Sequence, residues 1–323
     1  MTANGANREQ MQRSAAKRSA ALSSVLAAFG ITLLKLVTGV LTGSLGMLGE
    51  AAHSGIDLIA AIVTLFTVRV SDLPADAEHN YGHGKLENVS AGIEILLMAG
   101  SALWVGYEAL ERIVHQRHLT LRYSFWPFLV LLLSIAVDLT RSRTLKRVAK
   151  EQRSEALEAD AVHFGTDIWS AGAVLLGLLA SYAGQRYSIT GLELADPVAA
   201  LLVTVIIAVV TVRLARRTLD SLLDATPPEV RAQLRDELIQ QIEAIPDVLK
   251  AQRVRVRRSG SDYFVDLTLG LPRNLTFQRS EQVTAAATTA VQKKLPGADV
   301  VIHTIPTASH SESVFERIRA VAA

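Results

Sequence analysis

The chain has 323 residues, 50% of them hydrophobic and 20% charged, with a mean hydropathy of +0.28, which is too apolar for an ordinary soluble domain of that length. Its formal net charge of +2 does not point to nucleic acid, and its basic residues flank apolar runs instead of forming a tract of their own. With no cysteine, disulfides, thiolate metal sites and cysteine nucleophiles are excluded.

Residues 1–19 are polar and basic, and the apolar run that follows is too long for a signal-peptide core, so it reads as a retained anchor. Six segments reach the roughly 20 residues that a bilayer demands: 20–43, 46–70, 89–114, 124–145, 160–183 and 194–214, within a transmembrane domain at 20–217. Arg8, Arg13, Lys17 and Arg18 precede the first span, and Arg141, Arg143, Lys146, Arg147, Lys150 and Arg153 separate the fourth from the fifth. Arg213, Arg216 and Arg217 close the sixth, whereas the opposite connections carry few basic residues. The positive-inside rule then places both termini in the cytoplasm.

The second and fifth spans repeat one pattern, His53-Ser-Gly-Ile-Asp57 and His163-Phe-Gly-Thr-Asp167. Residues i and i+4 share a helix face, so each span offers an imidazole and a carboxylate to one point. A carboxylate at membrane depth is costly and marks an ion or proton pathway. Two such helices face to face supply two nitrogens and two oxygens, a tetrahedral set suited to Zn²⁺ and open to similar divalent ions. The competing reading is a local His-Asp hydrogen bond within each helix. Protons and metal compete for an imidazole lone pair, which offers a way to couple transport to protons. Asp138 and Asp160 are further acids near the membrane, Asp160 read as a capping or access residue, and Glu50 and Glu94 as polar contacts or helix-end residues.

Between the second and third spans, Asp76, His79, Gly82, His83, Gly84 and Lys85 crowd a short loop. It is either a second cation site or a polar loop whose glycines make turns. Past the sixth span, residues 218–306 alternate charge with apolar residues. A helix at 230–245, strands at 248–257 and 263–271 joined by a turn at 259–262, a helix at 280–295 and a strand at 299–305 give an α-β-β-α-β order. The fold class is therefore a membrane all-α bundle of six transmembrane helices plus a cytoplasmic α+β domain of ferredoxin-like type, followed by a tail at 307–323. No His-Glu-xx-His motif accompanies the intramembrane histidines, so an enzyme is not expected.

Six spans, the two His-xxx-Asp pairs, the Pro74-Ala75-Asp76…His79…His83-Gly84-Lys85 loop and the small α+β domain together resemble the cation diffusion facilitator family over roughly residues 15–306. That resemblance implies a homodimeric antiporter in a bacterial inner membrane, exporting Zn²⁺ from the cytoplasm in exchange for protons, with Cd²⁺ and Co²⁺ as further candidates and no organic cofactor. It implies a transport site at His53, Asp57, His163 and Asp167, a loop site at Asp76, His79 and His83, and an ion pair of Lys85 with Asp224 near the dimer interface. Many bacterial members carry aspartate where this chain has His53. The family's cytoplasmic metal positions fall on Gln252, Thr268, His303 and Ile305; only His303 can ligate, with Asp266 as a neighbour for a reduced site. The alternatives are a membrane metal sensor or scaffold that does not transport, and the same fold carrying Fe²⁺ or Mn²⁺.

Overall fold

The computed structural model of the chain describes residues 3–43, 45–115, 125–187, 195–230, 233–308 and 321–322. Two compact units emerge, Met1–Leu219 and Asp220–Ala323. Among the described residues, the first contains long helices α1 (Ala3–Thr42), α2 (Leu45–Ser71), α3 (Leu86–His115), α4 (Phe125–Gln152), α5 (Glu155–Tyr187) and the body of α6 (Ala195–Leu222).

Four stretches are by themselves long and apolar enough to cross a membrane: Met11–Thr42, Met47–Ser71, Leu86–Glu111 and Val198–Leu222. Helices α4 and α5 are long enough but more polar, because α4 ends in a basic half containing Arg141, Arg143, Lys146, Arg147 and Lys150, and α5 carries Glu155, Glu158, Asp160, His163 and Asp167. Phe29, Leu33, Leu103, Trp104 and Val209 are exposed on the bundle exterior. A bilayer removes that apolar surface from water, which makes this unit an integral membrane domain.

Small residues let the helices approach closely. A Cβ on Gly39 of α1 would lie 2.9 Å from the Leu48 side chain and 3.1 Å from the Leu48 backbone nitrogen of α2. Ala20 and Ala21 of α1, Val68 of α2, Leu145 and Val148 of α4, and Leu157 and Phe164 of α5 form one packed core. Helix α1 begins well before residue 20, extending through the stretch expected to be a separate polar segment. Lys17 explains the continuation: its ammonium is buried against the carboxylates of Asp72, just past α2, and Glu87, in the first turn of α3.

In the second unit, α7 (Gln233–Glu243), β1 (Lys250–Ser259), β2 (Asp262–Pro272), α8 (Phe277–Lys294) and β3 (Asp299–Thr307) realise the α-β-β-α-β order. The sheet runs β1-β2-β3, with β1 antiparallel and β3 parallel to β2. Gly260, at φ 59°, makes the hairpin turn that Ser259 to Asp262 predicts. Val265, Leu267 and Leu269 alternate inward from β2, and Val283, Ala287 and Val291 form the matching stripe of α8. Leu238 and Ile242 of α7 enter the same core. Helix α8 starts three residues before the expected 280 because Thr276 caps it, its hydroxyl accepting from the Arg279 N–H. Val230, where the first helix was expected to begin, closes a short 3-10 turn (Pro228–Val230), and residues 231–232 and most of the tail lie outside the described residues.

Candidate metal sites

The His-xxx-Asp pairs sit mid-helix in α2 and α5, where α-helical geometry alone aligns each pair on one face. His163 Nε2 lies 3.2 Å from Asp57 Oδ1 and 3.5 Å from Asp167 Oδ2. One ligand atom from each of Asp57, His163 and Asp167 falls within 4.8 Å of the others. Ligand atoms around a tetrahedral zinc, at bonds of about 2.0–2.2 Å, are roughly 3.3–3.6 Å apart, so the observed separations accommodate such an ion with little rearrangement.

His53 stands at the rim of this cluster. Its Nε2 is 4.0 Å from Asp57 Oδ2, and 41% of its side chain is exposed, against 3% for His163. The two helices thus bring three of the four expected ligands together and leave the fourth at the edge. Two buried cations sit on the helices that pack against α2 and α5. Lys35 of α1, itself buried, donates to Ser54 Oγ at 2.9 Å and to Glu50 Oε2 at 3.1 Å. Arg141 of α4 pairs with Asp138 at 3.1 Å and lies 3.5 Å over the Phe164 ring.

For two residues the structure selects among the alternatives that the sequence leaves open. Glu94 is no helix-end residue: it lies within α3 at 1% exposure, and its Oε2 is 3.0 Å from His163 Nδ1. An acid inside an apolar run of the third span was the signal for it, but its partner is 69 residues away along the chain and only the fold joins them. Asp160 does not cap α5. Ser154 does so, its hydroxyl accepting from the Leu157 N–H at 3.4 Å, while Asp160 is buried and accepts from Ser24 Oγ at 3.2 Å.

The loop trio converges as well. Asp76 Oδ1 accepts the backbone N–H groups of Glu78 at 2.9 Å and His79 at 2.6 Å, and Oδ2 is 3.5 Å from His83 Nε2. The rings of His79 and His83 are 4.3 Å apart, and all three residues offer ligand atoms within 4.8 Å. Gly82 permits the turn, adopting φ 74° while its N–H reaches the His79 carbonyl at 2.9 Å. The backbone hydrogen bond from His79 leads the causes that hold the Asp76 carboxyl below the usual aspartate range. Lys85 is half-buried in the turn before α3, and Asp224 lies 3.5 Å from Arg257 Nη1 in the second unit.

The cytoplasmic positions do not assemble into a comparable cluster. Gln252, Thr268 and His303 stand opposite one another across the three strands, but Asp266 pairs in register with Val301, and its carboxylate accepts from Arg255 at 3.2 Å. In this arrangement the Asp266 carboxylate is engaged by an arginine and lies diagonal to His303.

Sequence comparisons match this division of the chain. Residues 21–223 match the cation efflux transmembrane domain, and residues 230–307 match the cation efflux protein cytoplasmic domain. Relatives include the cation-efflux pump FieF of Yersinia enterocolitica, 30% identical over 292 residues, covering 90% of this chain and 93% of the relative. FieF of Serratia proteamaculans is 31% identical over 290 residues, with 90% and 92% covered. The uncharacterized transporter sll1263 of Synechocystis is 30% identical over 289 residues, covering 90% of each. On the matched domains, the apolar helical bundle and these relatives, the chain belongs to the cation diffusion facilitator family of cation-efflux membrane proteins.

Proposed function

We propose that this chain is a proton-coupled antiporter that exports Zn²⁺ from the cytoplasm across a bacterial inner membrane. The observation that carries the reading is the convergence of Asp57, His163 and Asp167 from two membrane helices on one point. His53 completes the set by turning inward. Two imidazoles and two carboxylates give a borderline donor set that suits zinc, with Cd²⁺ and Co²⁺ as close competitors.

Coupling follows from the donors themselves. A free imidazole titrates at roughly pH 6.5, and its lone pair holds either a proton or the metal. Protons arriving from the far side therefore displace the ion, and the protonated site returns to the cytoplasmic side to release them. Alternating exposure of a fixed midplane site by rocking helices supplies the transport step. In this reading the chain acts as a homodimer with both termini in the cytoplasm. The matched cytoplasmic domain supports dimerisation. Asp76, His79 and His83 hold a second ion on the cytoplasmic loop. No covalent bond is made or broken, so no enzyme activity is assigned.

Purified protein in proteoliposomes tests the assignment. Zinc uptake that follows an imposed pH gradient, collapses with a protonophore and is competed by Cd²⁺ and Co²⁺ more than by Mn²⁺ or Fe²⁺ is expected. Zinc flux indifferent to the gradient, or no flux, contradicts it; a sensor or scaffold gives none.

A further inference from the structure

Resting on that reading of the site, we propose that Glu94 is the positioning residue of His163, fixing the ring so that Nε2 faces the transported cation. The imidazole of His163 has two ends. Nε2 looks into the cluster, toward Asp57 and Asp167. Nδ1 looks the other way, with Glu94 Oε2 at 3.0 Å. Among the described residues neither Nδ1 nor Oε2 has a partner within hydrogen-bond angles, and both atoms are buried. The pair is thus close but off-line, and each atom is the other's nearest means of offsetting a buried polar group.

Glu94 is itself held in place. Thr64 Oγ1 of α2 donates to its other oxygen at 3.3 Å, and Thr64 is in turn 3.3 Å from Ser90 Oγ, one turn before Glu94 on α3. All three side chains are buried. A carboxylate of α3 therefore ties together α2 and α5, the two helices that supply the ligands. A metal-ligating imidazole whose other nitrogen donates to a carboxylate is fixed in tautomer and orientation, and removing such a partner typically costs 10–100-fold in metal affinity or activity. The 3.0 Å approach puts Glu94 within reach of that role: when the ring is drawn onto the ion, Nδ1 turns its hydrogen to Oε2 and the Nε2 lone pair is left for the cation.

The test compares full-length Glu94→Leu and Glu94→Gln with the parent protein, reading zinc Kd per monodisperse dimer and the KM and maximal rate of zinc uptake in proteoliposomes. We expect Glu94→Leu to raise Kd and KM by about 10–100-fold while maximal uptake at saturating zinc falls much less. Glutamine keeps an acceptor oxygen of the same reach, so Glu94→Gln should restore most of the affinity. Unchanged Kd in Glu94→Leu overturns the proposal, and so do equal losses in both variants, which would mean that charge and not orientation is at work. His163→Ala is included in the same titration. If it binds zinc like the parent, the transport site itself is misplaced, whereas loss in His163→Ala beside parental binding in Glu94→Leu overturns only the role of Glu94. Should leucine at 94 prevent folding, Thr64→Val, which loosens Glu94 without removing it, carries the test: a raised Kd supports the proposal and a parental Kd overturns it.

Discussion

Lys17 Nζ lies 3.1 Å from Glu87 Oε1, with side-chain exposures of 2% and 0%. The same ammonium is bonded to Asp72, and Ser71 Oγ donates to Glu87 at 3.2 Å, so α1, α2 and α3 are fastened at one end by one buried cation. Two anions and one cation out of water are stable only together.

Removing the cation should therefore cost more than an apolar replacement returns. Lys17→Met leaves Asp72 and Glu87 buried without their partner, and a loss of about 3–5 kcal/mol is expected, read as a large drop in the thermal unfolding midpoint of the detergent-solubilised protein. Adding Glu87→Gln to Lys17→Met should recover part of that drop. Equal midpoints for the parent and Lys17→Met would show that the cluster contributes nothing to the bundle.

The rim position of His53 sets a second expectation. Its replacement by aspartate, His53→Asp, makes the donor set harder and richer in oxygen, so competition of zinc uptake by Mn²⁺ and Fe²⁺ should strengthen while zinc uptake persists. Unaltered competition across the ion series would place His53 outside the site.

Much of the architecture was legible in the sequence, because helix and strand periodicity are local. Apolar runs of spanning length, the i,i+4 spacing of His53 with Asp57 and of His163 with Asp167, and the alternation of Val265, Leu267 and Leu269 each announce a face before any fold is known. Less was legible where a residue's role depends on a distant partner. Glu94 looked like an isolated acid until α5 brought His163 to it, and Lys17 looked like part of a free basic segment until Asp72 and Glu87 closed around it. The surroundings of Asp266 depend on register in the same way: it stands opposite Arg255 on β1 and Val301 on β3, with His303 two residues along the strand.

The loop should hold an ion independently of the membrane site. Asp76→Ala is expected to lower bound zinc by about one ion per chain while zinc uptake continues at reduced rate, checked by equilibrium dialysis alongside flux. Its pH dependence has a defined sign. The Asp76 carboxyl is held below its usual range, so its contribution to loop order is complete above the ordinary aspartate pKa, about 3.9, and is lost only as pH falls through the depressed value. Near pH 6 the carboxylate is still charged. Zinc retained by the loop in an Asp57→Ala protein at neutral pH, and lost when Asp76→Ala is added, is the expected pattern.

The cytoplasmic domain has an ordinary aliphatic core, and Leu269 is fully buried at its centre. Leu269→Ala should destabilise that domain by about 2–5 kcal/mol, seen as earlier urea unfolding of the domain's β-sheet signal with the helical signal of the membrane bundle preserved.

The central claim is that Asp57 and Asp167, with His163 between them, hold the exported ion. Zinc uptake into proteoliposomes under a fixed pH gradient, measured for the parent, Asp57→Ala and Asp167→Ala at matched protein incorporation, tests it most directly. The account predicts uptake by the parent and none above protein-free vesicles for either variant; parental flux through either alanine variant would contradict it.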